Sequence, residues 1–300
     1  MTWTWPRGTL ARDGYAVCVD DQIQGWRHTR LCVLEIAPGQ PQEFDCEDCE
    51  FMVIPLEGGA DLDIRDPSDN PLHASLAGRE NVFAGPTDVA YLAPGSRAVV
   101  TTDRPSRIAF AGATVSGAGR LPAFHHLHAD DVPVERRGAG SCSRLVRNFG
   151  TPGVLEADSL IACEVITPAA NWSSYPPHKH DVERPGEETS LEEIYYYEVQ
   201  PTAGAPQDAD PLAYQRVYAS DDRPIDVLTE VRSGDVVLIP YGWHGPSMAT
   251  PTADLYYLNV MAGPGVTRAW LICDDPAHGW VRDSWRDQQV DPRIGGDRHG

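Results

Sequence analysis

The sequence predicts an all-β protein made of two tandem barrels or jelly rolls, and three observations carry that prediction. Long amphipathic helical patterns are hard to find anywhere in its 300 residues. What recurs is short runs rich in Val, Ile, Leu and Tyr, broken by Pro, Gly, Asp and Asn, which is the spacing of strands and turns. Several of these runs occur twice in the same order, which points to a duplicated unit.

Taken in order, the runs are residues 30–36, 50–56, 89–92, 160–166, 194–199, 236–239 and 255–260. Leu34-Glu35-Ile36-Ala37-Pro38 resembles Cys163-Glu164-Val165-Ile166-Thr167-Pro168. Glu50-Phe51-Met52-Val53-Ile54 resembles Glu193-Ile194-Tyr195-Tyr196-Tyr197, and the stretch from Asp88 to Gly95 resembles that from Asp235 to Gly242. The offset between copies only grows along the chain, as insertions in the second copy would make it do. The acidic segment 181–191 is the obvious insertion. The join falls near 122–139, which gives a first domain of residues 1–130 and a second of 131–300 that includes a C-terminal tail.

Composition narrows the function. Lysine and arginine total 24 against 44 acidic residues, a formal charge of −20, which argues against nucleic acid or an anionic membrane surface as partner. No apolar run approaches the roughly 20 residues a membrane helix needs, and residues 1–12 lack the apolar stretch of a signal peptide. A soluble, cytoplasmic protein is expected. Seven cysteines form no regular framework, so reduced thiols are expected, and Cys46-x-x-Cys49 lacks the second pair a zinc site would need. Lys179 is the only lysine, the other 23 basic residues being arginines.

The second copy carries the chemistry. His178 and His180 flank Lys179 in Tyr175-Pro176-Pro177-His178-Lys179-His180, and residues two apart in a strand face one side. Glu193 opens the tyrosine-rich strand, sharing a face with Tyr195 and Tyr197. His244 follows the turn Pro240-Tyr241-Gly242. Three neutral imidazoles and one carboxylate suit a single divalent ion, Zn²⁺ or Mn²⁺ foremost and Fe²⁺ next, with open positions for substrate. His125, His126 and His128 form a competing cluster, but they lie in the join with no glutamate strand following and are expected at the surface or an interface. The first copy has the strands without the ligands: 45–50 holds no histidine, and Arg97 falls near the place of His244.

In these motifs the chain resembles the cupin superfamily, and more closely the 5-deoxy-glucuronate isomerases of myo-inositol catabolism, which are related to the 5-keto-4-deoxyuronate isomerases. The segments 172–181, 191–197 and 254–264, the tail 274–280, and 78–88 in the first half carry that likeness over nearly the whole chain. The resemblance implies a bicupin. It also implies a metal-dependent aldose–ketose isomerase converting 5-deoxy-D-glucuronate to 5-dehydro-2-deoxy-D-gluconate.

Tyr195 and Tyr197, facing inward with Glu193, either donate to substrate oxygens or simply line the core; the sequence does not name the general base. A cation is needed for the substrate carboxylate. Arg216 is the first candidate, with Lys179 beside the ligands and Arg144 and Arg147 in the join as further ones, although strand alternation turns Lys179 away from the metal. An Fe(II)-dependent cupin dioxygenase and a non-catalytic sugar-acid-binding cupin are the alternative readings, since cupin ligands alone do not separate them. Exposed edge strands and a retained, ligand-free first half favour a homo-oligomer.

Overall fold

The computed structural model describes residues 2–115, 121–220 and 223–294. Among them the only α-helix is the single turn Val281–Ser284; nearly everything else regular is strand. The first half forms one nine-stranded sheet. Its spine is Cys49–Arg65, long enough to pair with Val89–Leu92 and Ser106–Thr114 at its start and with Pro71–Arg79 and Arg97–Thr101 at its end. The sheet therefore curls around one interior. The second half has a seven-stranded sheet centred on Glu192–Pro201 and Ala253–Ala262, facing a six-stranded sheet centred on Ala213–Ser220 and Trp243–Ala249.

Three apolar cores follow from the alternation of these strands. Leu34, Phe44, Phe51, Leu62 and Phe110 fill the first barrel, together with Cys46 and Cys49, which are core thiols. Tyr195, Tyr197, Val217, Ile239 and Tyr257 fill the second. The opposite faces of the same strands, with Leu31, Met52, Tyr91, Ile194, Leu238 and Leu258, pack the two halves together. Each central strand thus buries both faces, which is why its sequence reads as a continuous apolar run.

The first half also lends a strand to the second: Thr4–Trp5, at the start of the chain, pairs with Val236–Ile239. Phe124–Leu127, just before the join, stays with the first half and pairs with Val89–Leu92. Two glutamates tie the halves further. Glu50 accepts the amides of Asp158, Ser159 and Leu160 in the second half at 2.6–2.7 Å. Glu192 accepts those of His28 and Thr29 in the first at 2.6–2.7 Å.

This pairing corrects the internal alignment by one residue. Phe51 stands opposite Leu92 as Glu193 stands opposite Ile239, so the counterpart of Glu50 is Glu192. A one-residue slip moves a side chain to the other face of a sheet. The position that holds Glu193 in the second barrel is therefore Phe51 in the first. Phe51 packs edge-on to Phe44 at 4.8 Å, and Phe44 stacks on Phe110 at 4.0 Å. Arg97 is exposed beside Asp69, and Ala98 faces inward in its place. The first interior is hydrocarbon. Substituting Glu50 or Glu192 with glutamine is expected to cost about 2 kcal/mol each, because a charged acceptor of several amides is lost. Urea denaturation of each variant measures this, and an unchanged midpoint would show that the amides find water instead.

Candidate metal centre

The second barrel brings its three motif histidines to one point. His178 lies in the two-residue strand His178–Lys179, directly opposite His244 of Trp243–Ala249, and His180 follows immediately. One ring nitrogen of each lies within 4.8 Å of the others. In all three rings Nδ1 faces a backbone carbonyl: Pro176 at 3.3 Å for His178, Leu191 at 3.2 Å for His180 and Gly242 at 3.2 Å for His244. A carbonyl can only accept, so Nδ1 carries the hydrogen and Nε2 is the nitrogen each ring can turn towards a metal. Gly242 can offer its carbonyl because its φ of +96° lies in the left-handed region, and a Cβ there would come within 2.7 Å of the Tyr218 carbonyl.

Glu193 completes the set from the facing sheet. Its Oε2 lies 3.1 Å from His180 Nε2 and 3.2 Å from His244 Nε2. The second contact lacks hydrogen-bond alignment, so His244 Nε2 is a buried nitrogen without a partner. Burial and the neighbouring His244 and His180 push His178 well below the ordinary imidazole range. Burial pulls His180 the same way, but the Glu193 carboxylate overcomes it and raises the group. Burial raises Glu193 in turn, and His180 and His244 more than offset that. Three carbonyls that orient the rings, an orphaned imidazole nitrogen and a carboxylate within 3.2 Å fit a divalent metal.

The constellation opens on a cavity of about 190 Å³, walled by His178, Tyr195, Ser174, Tyr257, Asn259 and, farther round, Arg137, Arg144, Arg282 and Trp270. Ser174, held at φ 48°, places its hydroxyl 2.9 Å from the Tyr195 phenol and 3.1 Å from that of Tyr257. Burial pushes Tyr195 well above its ordinary value and Tyr257 up to about 12, so both phenols stay protonated at neutral pH. Among the described residues no carboxylate lines this cavity.

Other candidates lie elsewhere. Tyr197 faces the barrel interior but donates to Gln215 at 2.9 Å and does not line the cavity. Arg216 is not brought to the site: it pairs with Asp226 and donates to the carbonyls of Val217 and Val227 on the outer side of its strand. Lys179 also turns away, donating to Asp181 at 2.8 Å and Glu188 at 2.7 Å, 8% exposed, with Arg184 and Arg223 pairing the same two carboxylates. Arg147 joins Arg79 on Glu164 between the halves. His126 and His128 come near Asp88, but both Asp88 oxygens already accept amides, from Ala77 and Ala129. The residues that sequence reasoning passed over are Arg137, Arg282, Ser174, Tyr257 and Asn259. For Tyr257 and Asn259 the signal existed, since Leu255, Tyr257 and Met261 alternate into the barrel core.

Fold and site together define a two-barrel cupin with a three-histidine, one-glutamate constellation in its second barrel. The oxalate decarboxylase of Lactobacillus farciminis shares the fold, with a TM-score of 0.60 at 12% identity over 86% of this chain and 82% of that one. The chain belongs to the KduI/IolB family, whose profile matches residues 5–281. It is 37% identical over 279 residues to the 5-deoxy-glucuronate isomerase of Geobacillus kaustophilus, covering 93% of this chain and 95% of that protein. To the enzyme of the same name from Bacillus subtilis strain 168 it is 36% identical over 250 residues, 83% and 86% of the two chains. The crystal structure of an IolB-like protein from Salmonella typhimurium LT2 superposes with a TM-score of 0.81 at 31% identity, covering 94% of this chain and 99% of that one.

Proposed function

We propose that the protein is an aldose–ketose isomerase that converts 5-deoxy-D-glucuronate to 5-dehydro-2-deoxy-D-gluconate in myo-inositol catabolism. The observation that carries this reading is the cluster of three imidazole nitrogens opening on a small cavity with phenols and guanidinium groups on its wall. Full-length relatives of that name support it. His178, His180, Glu193 and His244 are the proposed ligands. When bound, a divalent metal there supplies Lewis-acid stabilisation of the negative charge that develops on two adjacent substrate oxygens. Zn²⁺ or Mn²⁺ suits the donors best.

The chain's own residues supply orientation and protons. Tyr195, protonated and lining the cavity, is proposed to donate to a substrate oxygen, with Ser174 fixing its hydroxyl. The guanidinium groups on the cavity wall supply the positive charge that an acid group needs. We propose a ligand-free scaffold of residues 1–130 and a metal-holding half of 131–300, assembled as a cytoplasmic homo-oligomer. No helix among the described residues is long and apolar enough to cross a membrane.

Anaerobic turnover of 5-deoxy-D-glucuronate before and after chelation tests the reaction. Activity that disappears with chelator and returns with Zn²⁺ or Mn²⁺ is expected. Oxygen consumption without uronate turnover would instead mark a dioxygenase. Lys179 gives a separate check. In K179M the metal-saturated enzyme is expected to keep nearly normal turnover while losing about 2 kcal/mol of stability, because two buried carboxylates lose their shared ammonium and keep only Arg223 and Arg184. A collapse of turnover at full metal content would return Lys179 to the active site.

A further inference from the structure

The three arginines on the cavity wall are not equivalent. Arg137 is engaged by Glu135, donating to both carboxylate oxygens at 2.9 and 2.7 Å, and it lies over the Trp270 ring. Arg282 donates to Asp274 at 2.7 Å. Arg144 meets no carboxylate among the described residues. Its one hydrogen bond runs from Nη1 to the Cys142 carbonyl at 2.9 Å, and its guanidinium lies 5.4 Å from the centre of the Trp285 ring. Arg282 packs on the same indole at 5.5 Å.

Arg144 is 5% exposed. Burial, with Tyr257 opposing and Arg137 reinforcing it, brings its guanidinium down to about 10, which leaves it charged at neutral pH. A buried cation without a counter-ion is costly unless something pays for it, and a guanidinium fork is built to take a carboxylate through two parallel hydrogen bonds. Three guanidinium groups with two carboxylates, Glu135 and Asp274, leave one positive charge over on this wall. The cavity they enclose also holds His178 and Tyr195, so an acid seated on Arg144 extends its other end towards the histidine cluster.

We propose that Arg144 is the receptor for the carboxylate of a sugar-acid substrate and sets the specificity of the site for acids over neutral sugars. This rests on the isomerase reading for the identity of the acid, and on the geometry alone for the choice of residue. Arg137 and Arg282 frame the receptor without displacing their own carboxylates, and Trp285 holds the guanidinium plane in place.

The test compares metal-loaded wild type, R144Q and R144K, titrated calorimetrically with D-glucuronate and with its neutral counterpart D-glucuronamide. Wild type is expected to prefer the acid by about 100-fold, as charged hydrogen bonds of this kind imply. R144Q is expected to bind acid and amide alike. R144K, which keeps the charge and loses the fork, should fall between them. Metal content and melting temperature report whether each variant is folded, and R144K carries the comparison if R144Q is not. An acid-to-amide ratio unchanged in both variants overturns the proposal, as does a wild type that does not distinguish the two ligands. Turnover separates this inference from the reaction. A wild type that discriminates the acid through Arg144 yet leaves 5-deoxy-D-glucuronate unchanged refutes the isomerase alone. Normal turnover with an unaltered KM in R144Q refutes the receptor alone.

Discussion

Substituting His244 with alanine is expected to strip the metal and lower kcat/KM for 5-deoxy-D-glucuronate by roughly 10³-fold or more. The size follows from what the residue does. His244 Nε2 is a buried donor with no protein hydrogen bond, aimed at the point where His178 and His180 converge. Without it the metal would keep two imidazoles and a carboxylate, and several kcal/mol of charge stabilisation would go with the ion. The protein should stay folded: alanine frees the Gly242 carbonyl and takes one neighbour from Glu193, but His180 still pairs that carboxylate. Metal analysis alongside kinetics decides the matter: a variant that keeps one metal per chain and near-normal kcat/KM would remove His244 from the ligand set.

The largest expected effect on stability belongs to Glu164. It is 1% exposed and accepts from Arg79 of the first half, from Arg147 and from the Tyr256 hydroxyl at 2.7 Å. Replacing it with alanine leaves two guanidinium groups buried at the seam, and a loss of about 3–5 kcal/mol is expected. Replacing all three charged residues with apolar ones of similar volume should recover most of that loss. Burial raises the Glu164 carboxyl, but Arg79 and Arg147 overcome this and hold it below its ordinary value. Asp181 and Glu188, around Lys179, are depressed as well. Each binds a proton less readily folded than unfolded, so the stability they contribute is complete above about pH 4.5. It is lost as pH falls through their folded values. Acid unfolding should therefore begin below about pH 4.5 and shift upward in E164A. A urea midpoint that stays constant as pH falls below about 4.5 would rule this out.

Much of the site was legible because its residues come in motifs whose spacing is geometry. His178 and His180 sit two residues apart, Glu193 opens a strand and His244 follows a glycine turn, so local rules place each side chain on a known face. The substrate side was harder. Arg216 lies between the two motifs in sequence, yet Ala213, Gln215 and Val217 alternate into the barrel and turn it outward. That alternation was readable. Arg282 was not, because its position depends on a single helical turn, Val281–Ser284, folded back over the barrel mouth. The slip at Glu50 has another cause. Glu192 and Glu193 are adjacent, and only the ladder tells which of the two matches a lone glutamate in the first copy. One of the pair ties the halves together and the other faces the histidine cluster, a division of roles that two identical letters conceal.

The crossing of the first strand to the second half bears on how the chain comes off the ribosome. Thr4–Trp5 emerges first, but its partners Val236 and Val237 follow roughly 230 residues later. At ordinary elongation rates that is a wait of roughly 10–50 s. During it the first barrel can close around its phenylalanines, while its outer face, the one that carries Leu31, Met52 and Tyr91, stays wet. The nascent half is thus a sticky intermediate with a loose leading end, and translation speed and chaperone supply, rather than the finished protein's stability, should govern how much of it is recovered from cells.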